Sequence, residues 1–225
     1  MVPYYYNPNA DELEKIISRE LSDDYTVEES VKSIIEKVKT EGDSALYSFA
    51  KEFDKVELKQ LYVSDEELNQ CDKFVDQDLK KAILRAKENI EKFHKAQIAK
   101  GEEIEIENGI KLSRKIVPIS SVGLYVPGGT APLFSTVLML GIPAKVAKCN
   151  NIILATPPTR DGTVNPVVLF AAKSIGITKI IKVGGAGAIA ALSYGTETIS
   201  KVDKIFGPGN RFVSYAKMIV SSRTS

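Results

Sequence analysis

Residues 121–156 read SVGLYVPGGTAPLFSTVLMLGIPAKVAKCNNIILAT, and their order is strand, glycine turn, helix, strand. An apolar run at 122–126 gives way at Pro127-Gly128-Gly129. A helical pattern fills 133–148, and a second apolar run follows at 152–155. Short runs that are apolar throughout suit strands buried on both faces. The pattern then repeats, with helices at 166–175 and 186–194 and strands at 178–183 and 202–206. Asn165-Pro166 supplies an N-cap and a first helical position. Strand and helix alternating in units of about 30 residues predict a parallel sheet covered by helices, an α/β fold.

Upstream of this stretch the period is helical. Thr26 and Glu29 form a capping-box pattern ahead of Val31, Ile34, Ile35 and Val38, which share one face. Gly42 and Asp43 end that helix and cap the next, with Ala45, Leu46, Phe49 and Phe53 as its apolar positions. Ser64 and Glu67 repeat the capping pattern after Leu61 and Val63. A long helix is expected over 76–99, with Leu79, Ile83, Ala86, Ile90, Phe93 and Gln97 along one side. From Ile104 the period becomes two: Ile104, Ile106, Ile110 and Leu112 flank Asn108-Gly109, a hairpin signal.

Composition narrows the function. Thirty basic against 29 acidic residues leave a formal charge of +1, so no one-sign field draws the chain to nucleic acid or an anionic membrane. The longest apolar candidate, 133–146, holds Pro143 and Lys145 and falls short of a membrane span. The opening MVPYYYNPNADELEK lacks a basic region followed by an apolar one, so no signal peptide is expected. Cys71 and Cys149 are the two cysteines; far apart, they suggest neither a metal knuckle nor a disulfide framework. The setting they favour is a reducing cytoplasm.

Three glycine-rich turns follow the expected strands: Pro127-Gly128-Gly129, Gly184-Gly185-Ala186-Gly187, and Gly207-Pro208-Gly209-Asn210. In open α/β sheets, ligands bind at the carboxyl ends of the strands. Glycine there lets backbone N–H groups approach a phosphate, and a helix N-terminus adds a favourable dipole. Tight strand-to-helix turns also use glycine without any ligand, and none of the three is the G-x-G-x-x-G fingerprint. The residues alone point to a nucleotide-sized ligand at the sheet edge.

A family resemblance sharpens this. VGLYVPGGTAPLFSTVLMLGIPAKVAKC (122–149) and VGGAGAIAALSYGTETISKVDKIFGPGN (183–210) resemble the signature stretches of histidinol dehydrogenases. So do GDSALYSFAKEFD (42–54) and ENIEKFHKAQ (88–97). The likeness covers residues 26–220 in order. It implies a zinc-dependent enzyme that oxidises L-histidinol to L-histidine through the aldehyde, with two NAD used in succession, at the end of histidine biosynthesis. It also implies a homodimer. By the resemblance, Tyr125 and Asn210 fall at NAD-contacting positions. A third contact, the glutamine of GGAQAIAAL, is replaced here by Gly187. Losing an amide removes both its donors and an acceptor, which lowers the expected NAD affinity.

Other residues are weaker candidates. His94, the one histidine, reads as a packing residue beside Phe93; one histidine and two scattered cysteines do not make a zinc site. Glu102, Glu103, Glu105 and Glu107 are expected mostly on one face of an exposed strand, serving solubility. Tyr4, Tyr5 and Tyr6 are expected to anchor onto a neighbouring element or subunit. Lys145 and Lys148 could activate Cys149 as a thiolate, although that cysteine follows a helix end instead of starting one.

The resemblance implies a division into residues 1–121, a helical region with the opening part of an interrupted α/β domain, and residues 122–225, an inserted Rossmann-like NAD-side domain. No catalytic or metal-binding residue is assigned, since the family's zinc ligands and its glutamate–histidine pair lie beyond the matched portion. The chain alone is expected to be inactive, with loose or open apolar surface in its first part. The alternative is a non-catalytic nucleotide-binding or assembly module.

Overall fold

In the computed structural model, residues 4–17, 25–129, 131–222 and 224 are described. The helical region consists of α1 (Ala10–Ile17), α2 (Tyr25–Glu41), α3 (Asp43–Phe49), α4 (Asp65–Gln70) and α5 (Gln77–Ala96). A hairpin of β1 (Glu102–Glu107) and β2 (Ile110–Arg114) follows. Then come β3 (Ser121–Tyr125), α6 (Phe134–Val146), β4 (Asn151–Thr156), α7 (Pro166–Ser174), β5 (Ile180–Lys182), α8 (Gly185–Tyr194), β6 (Lys204–Phe206) and α9 (Arg211–Val220). The expected strand–helix alternation is present, and the sheet is parallel throughout in the order β5-β4-β3-β6.

The apolar residues of β3, β4 and β5 divide between two cores. Tyr125, Ile153, Ala155, Ile181 and Val183 face a core shared with α2, α3, α8 and α9. Val122, Leu124, Ile152, Leu154 and Ile180 face a core shared with α4, α5, α6 and α7. Because side chains alternate along a strand, a strand covered on both faces must be apolar at every position, which is why its sequence shows no alternation. Burying each large apolar side chain contributes roughly 1.5–3 kcal/mol, so two full cores account for most of the driving force for folding. Residues on both sides of position 121 contribute to each core.

The helix caps show which local signals hold. Ser64 accepts from Glu67 N at 3.1 Å, Asp76 from Asp78 N and Leu79 N, and Asn165 from Val167 N at 2.9 Å, each satisfying an otherwise orphan donor. Two expectations are corrected. Helix α2 already includes Tyr25, so Thr26 lies inside its first turn. Asp43 is the first residue of α3, behind Gly42, and its carboxylate accepts from the Thr196 hydroxyl.

The apolar faces differ from expectation at their ends. After α3 the chain makes a π-helical turn, Ala50–Asp54, which rotates Phe53 out until it is 56% exposed, stacked on Phe49 at 5.5 Å. On α5 only Ile83 is fully covered; Phe93 and the C-cap residue Gln97 stand exposed. Leu61–Val63 packs as a short antiparallel segment against β5, through Val63 N to Ile180 O and Lys182 N to Leu61 O, which closes that sheet edge.

The hairpin is antiparallel, as Asn108-Gly109 indicated, and every residue in it is exposed. An irregularity between Glu105 and Glu107 corrects the expected clustering of carboxylates. Glu103 and Glu105 share one face, while Glu102 and Glu107 share the other with Ile104, Ile110 and Leu112. Tyr4, Tyr5 and Tyr6 are also exposed, so they are not buried against a neighbouring element of this chain. Among the described residues no helix is long and apolar enough to cross a membrane.

Candidate functional site

Chain order fixes where a ligand can enter. From β3 the chain moves outward to β4 and β5, then returns past β3 to place β6 on its other side. The direction of winding therefore reverses between β3 and β6, and the helices after them splay apart at that point. A cavity of 560 Å³ opens at these strand ends, within the size range of small-molecule and cofactor pockets. All three glycine-rich turns contribute to it. Tyr125, Gly187 and Asn210, singled out along the sequence, line this one cavity together.

Tyr125 ends β3 and is 4% exposed. Its hydroxyl oxygen accepts a hydrogen bond from Gly185 N at 3.0 Å, so the phenol crosses the sheet end and satisfies a donor at the start of α8. Burial pushes the hydroxyl's pKa up; the Gly185 N–H opposes this, and the charge of Asp54 adds to it. The hydroxyl is therefore a neutral group at physiological pH, able to donate as well as accept. Gly185 holds a φ of +59°, a conformation that costs a side chain-bearing residue free energy.

Asn210 precedes α9, and its side-chain oxygen accepts from Val213 N at 3.2 Å. Capping uses the oxygen and leaves the amide NH2 without a protein partner among the described residues, so capping and ligand contact are compatible. The turn before it is pressed against β3. A Cβ on Gly207, whose φ is +133°, would lie 2.0 Å from the Tyr125 carbonyl oxygen. Lys217 donates to the Gly207 carbonyl at 2.5 Å, and burial lowers its pKa.

Gly187 lies in the first turn of α8. A Cβ there would meet Phe49 Cδ2 at 3.3 Å and Leu46 Cδ2 at 3.7 Å, so the α3 side chains close over the position. The N-terminus of α8 has no side-chain cap, and its first-turn N–H groups are the donors an anionic ligand group would meet.

Two cavity residues escaped the sequence reading. Lys182 ends β5 with its side chain 7% exposed, paired to Glu67 at 2.6 Å and donating to the Gly162 carbonyl at 3.0 Å. Its signal was a lysine in the apolar run IIKV, since a buried charge requires a partner. The partner is Glu67, whose other oxygen accepts from Val164 N at 2.7 Å; the residue that completed a capping-box pattern binds a distant strand. Asp54 closes the turn after α3 and also lines the cavity. Burial raises the pKa of its carboxyl, and it has no hydrogen-bond or ion-pair partner among the described residues.

The remaining candidates fall outside this cavity. His94 makes an edge contact with Phe93 at 5.5 Å and lines a separate groove beside the hairpin. Cys149 is half-buried against the second core, and burial raises its thiol pKa, which opposes activation as a thiolate. Cys71 is buried and raised in the same way. Among the described residues no group of three or more His, Cys, Asp or Glu side chains could hold a metal ion. The described residues therefore do not fit zinc.

Comparisons with known proteins identify the family. Residues 17–225 match the family described as histidinol dehydrogenase. A histidinol dehydrogenase of Bacteroides thetaiotaomicron is 47% identical over 216 residues, covering 96% of this chain and 50% of that protein. One from Campylobacter jejuni strain RM1221 is 54% identical over 192 residues, or 85% of this chain and 44% of its own length. The crystal structure of histidinol dehydrogenase from Elizabethkingia anophelis superposes with a TM-score of 0.91 at 44% identity, covering 98% of this chain and 51% of that one. The chain thus spans about half the length of the relatives it matches. The matched sequence, the parallel α/β fold and the clustering of the signature residues lead to one conclusion: the chain belongs to the histidinol dehydrogenase family.

Proposed function

We propose that this chain is the NAD-side portion of a zinc- and NAD-dependent histidinol dehydrogenase. The observation that carries this is the convergence of Tyr125, Gly187 and Asn210 on one cavity at the winding reversal of a parallel sheet. The cavity suits a dinucleotide. Its volume is adequate, the first turn of α8, where Tyr125 holds the Gly185 N–H, adds a favourable dipole for a pyrophosphate, and Phe49 and Phe53 provide apolar walls. When bound, NAD supplies the hydride acceptor of alcohol and aldehyde oxidation. Tyr125 and the Asn210 amide orient it, and the glycine turns let it approach the backbone.

Gly187 weakens that grip, because the cavity lacks the amide that the resemblance implies at this position. Residues 122–225 form the NAD-side domain in this reading, and residues 1–121 belong to the domain that a complete enzyme would finish. L-Histidinol oxidation needs a base and a metal that this portion does not supply. Those groups contribute many orders of magnitude in rate, so the portion alone is inactive. In the complete enzyme we place it in a cytoplasmic homodimer.

Calorimetric titration with NAD tests the cofactor reading. Binding in the high micromolar to millimolar range is expected, tightening at least about threefold in Gly187→Gln. No heat at millimolar NAD in either protein would favour a non-catalytic assembly module instead. Formation of NADH from histidinol by the 225-residue chain alone would overturn the inactivity.

A further inference from the structure

The cavity has an uneven charge that no step above uses. Among the described residues, Asp54 and Lys182 are the charged groups lining it. Lys182 is neutralised by Glu67 at 2.6 Å and held by the Gly162 carbonyl. Asp54 has no such partner among the described residues: it is half-buried at the end of the Ala50–Asp54 turn, and its charge acts on the neutral Tyr125 hydroxyl. Among the described residues the cavity therefore contains one uncompensated negative charge, on a carboxylate whose acceptor sites they leave unfilled. A partly buried carboxylate without donors is unfavourable, so the occupant of this cavity should bring donors and no anion at that point.

We propose that Asp54 selects the sugar of the bound nucleotide, its carboxylate accepting hydrogen bonds from a free ribose diol and repelling a ribose that carries a phosphate. The proposal rests on the cavity's being an NAD site and adds the residue that selects NAD over its phosphorylated counterpart. Position supports it. Asp54 directly follows Phe53, which stacks on Phe49, and Phe49 reaches the first turn of α8. A nucleotide with its phosphates at α8 and a flat group against these rings brings a sugar to the carboxylate between them. A diol offers two donors to two carboxylate oxygens, whereas a phosphate there meets like charge in a partly desolvated site.

Titrating NAD and NADP into the wild type, Asp54→Asn and Asp54→Glu tests this. The wild type is expected to prefer NAD over NADP by at least about tenfold. Asp54→Asn, nearly the same shape without the charge, should bring the two within about threefold, mainly by admitting NADP; Asp54→Glu should keep the preference. Circular dichroism and the urea midpoint confirm that the variants are folded. A wild-type preference that survives in Asp54→Asn overturns the proposal and leaves the cofactor reading intact. Equal weakening of both ligands also overturns it, since the carboxylate would then contact a sugar common to both. If the folded wild type binds neither ligand, the cofactor reading itself fails.

Discussion

The parallel sheet and the hairpin β1–β2 use the same kind of residue and end in opposite environments. Ile152, Ile153 and Leu154 are at most 8% exposed in β4, whereas Ile104, Ile110 and Leu112 are 48–60% exposed in the hairpin. Both regions also contain Lys/Arg–Glu pairs. Lys182–Glu67 is almost wholly covered, while Glu103–Lys111 and Glu102–Arg114 have side chains more than 60% exposed. The difference lies in what stands opposite. Helices cover both faces of the sheet; nothing among the described residues covers the hairpin. Apolar residues make a strand, but only a facing layer turns them into a core.

This contrast can be broken by paired substitutions read from urea unfolding. The largest effect is expected for Glu67→Ala, which strands the Lys182 charge and removes the acceptor of Val164 N; about 3–5 kcal/mol should be lost. Glu103→Ala, removing one partner of a surface pair, should cost under about 1 kcal/mol. If the two costs agree, burial does not separate the regions. Leu154→Ala should lose about 2–5 kcal/mol by opening a cavity in the second core, and Leu112→Ala should stay within about 0.5 kcal/mol. A large loss at Leu112 would show that the hairpin face is covered in solution.

Smaller effects sharpen the picture at the site and in the turn that Lys182 holds. Tyr125→Phe removes the acceptor of Gly185 N and should cost about 1 kcal/mol, while weakening NAD. The mildest effect appears only in acid. Asp161, bonded by Thr159 and Thr163, has its carboxyl pKa lowered to about 2 from 3.8. The folded value lies below the unfolded one, so the carboxylate stabilises the fold fully above about pH 4, and this is lost as pH falls towards 2. Asp161→Asn should flatten that part of the stability–pH curve and leave neutral stability slightly reduced. An unchanged acid limb would show that the turn is not held by this carboxylate.

Much of this was legible along the chain because the signals were local. Uniformly apolar runs gave the buried strands, Asn108-Gly109 the hairpin, and Asn165, Ser64 and Asp76 the helix starts. The three glycine turns gave the strand ends at which the cavity opens. What failed was non-local. The Thr26 reading missed because α2 already includes Tyr25, which puts Thr26 inside the helix instead of at its cap. Phe53 was given to a helix face because a π-turn leaves no mark in the period. Glu67 looked complete as a capping residue because its second role depends on Lys182, which lies 115 positions later.

By itself, then, the sequence determined most of the elements, the parallel character of the sheet and the family, since these depend on periodicity, turn chemistry and long ordered motifs. Only the tertiary structure decided that Tyr125 reaches α8, that Lys182 is neutralised, and that Asp54 lines the cavity without a partner among the described residues. The reason is physical. A side chain's charge and hydrogen bonds are set by whatever packing brings within a few ångströms of it, and those neighbours come from strands and helices far apart in the chain.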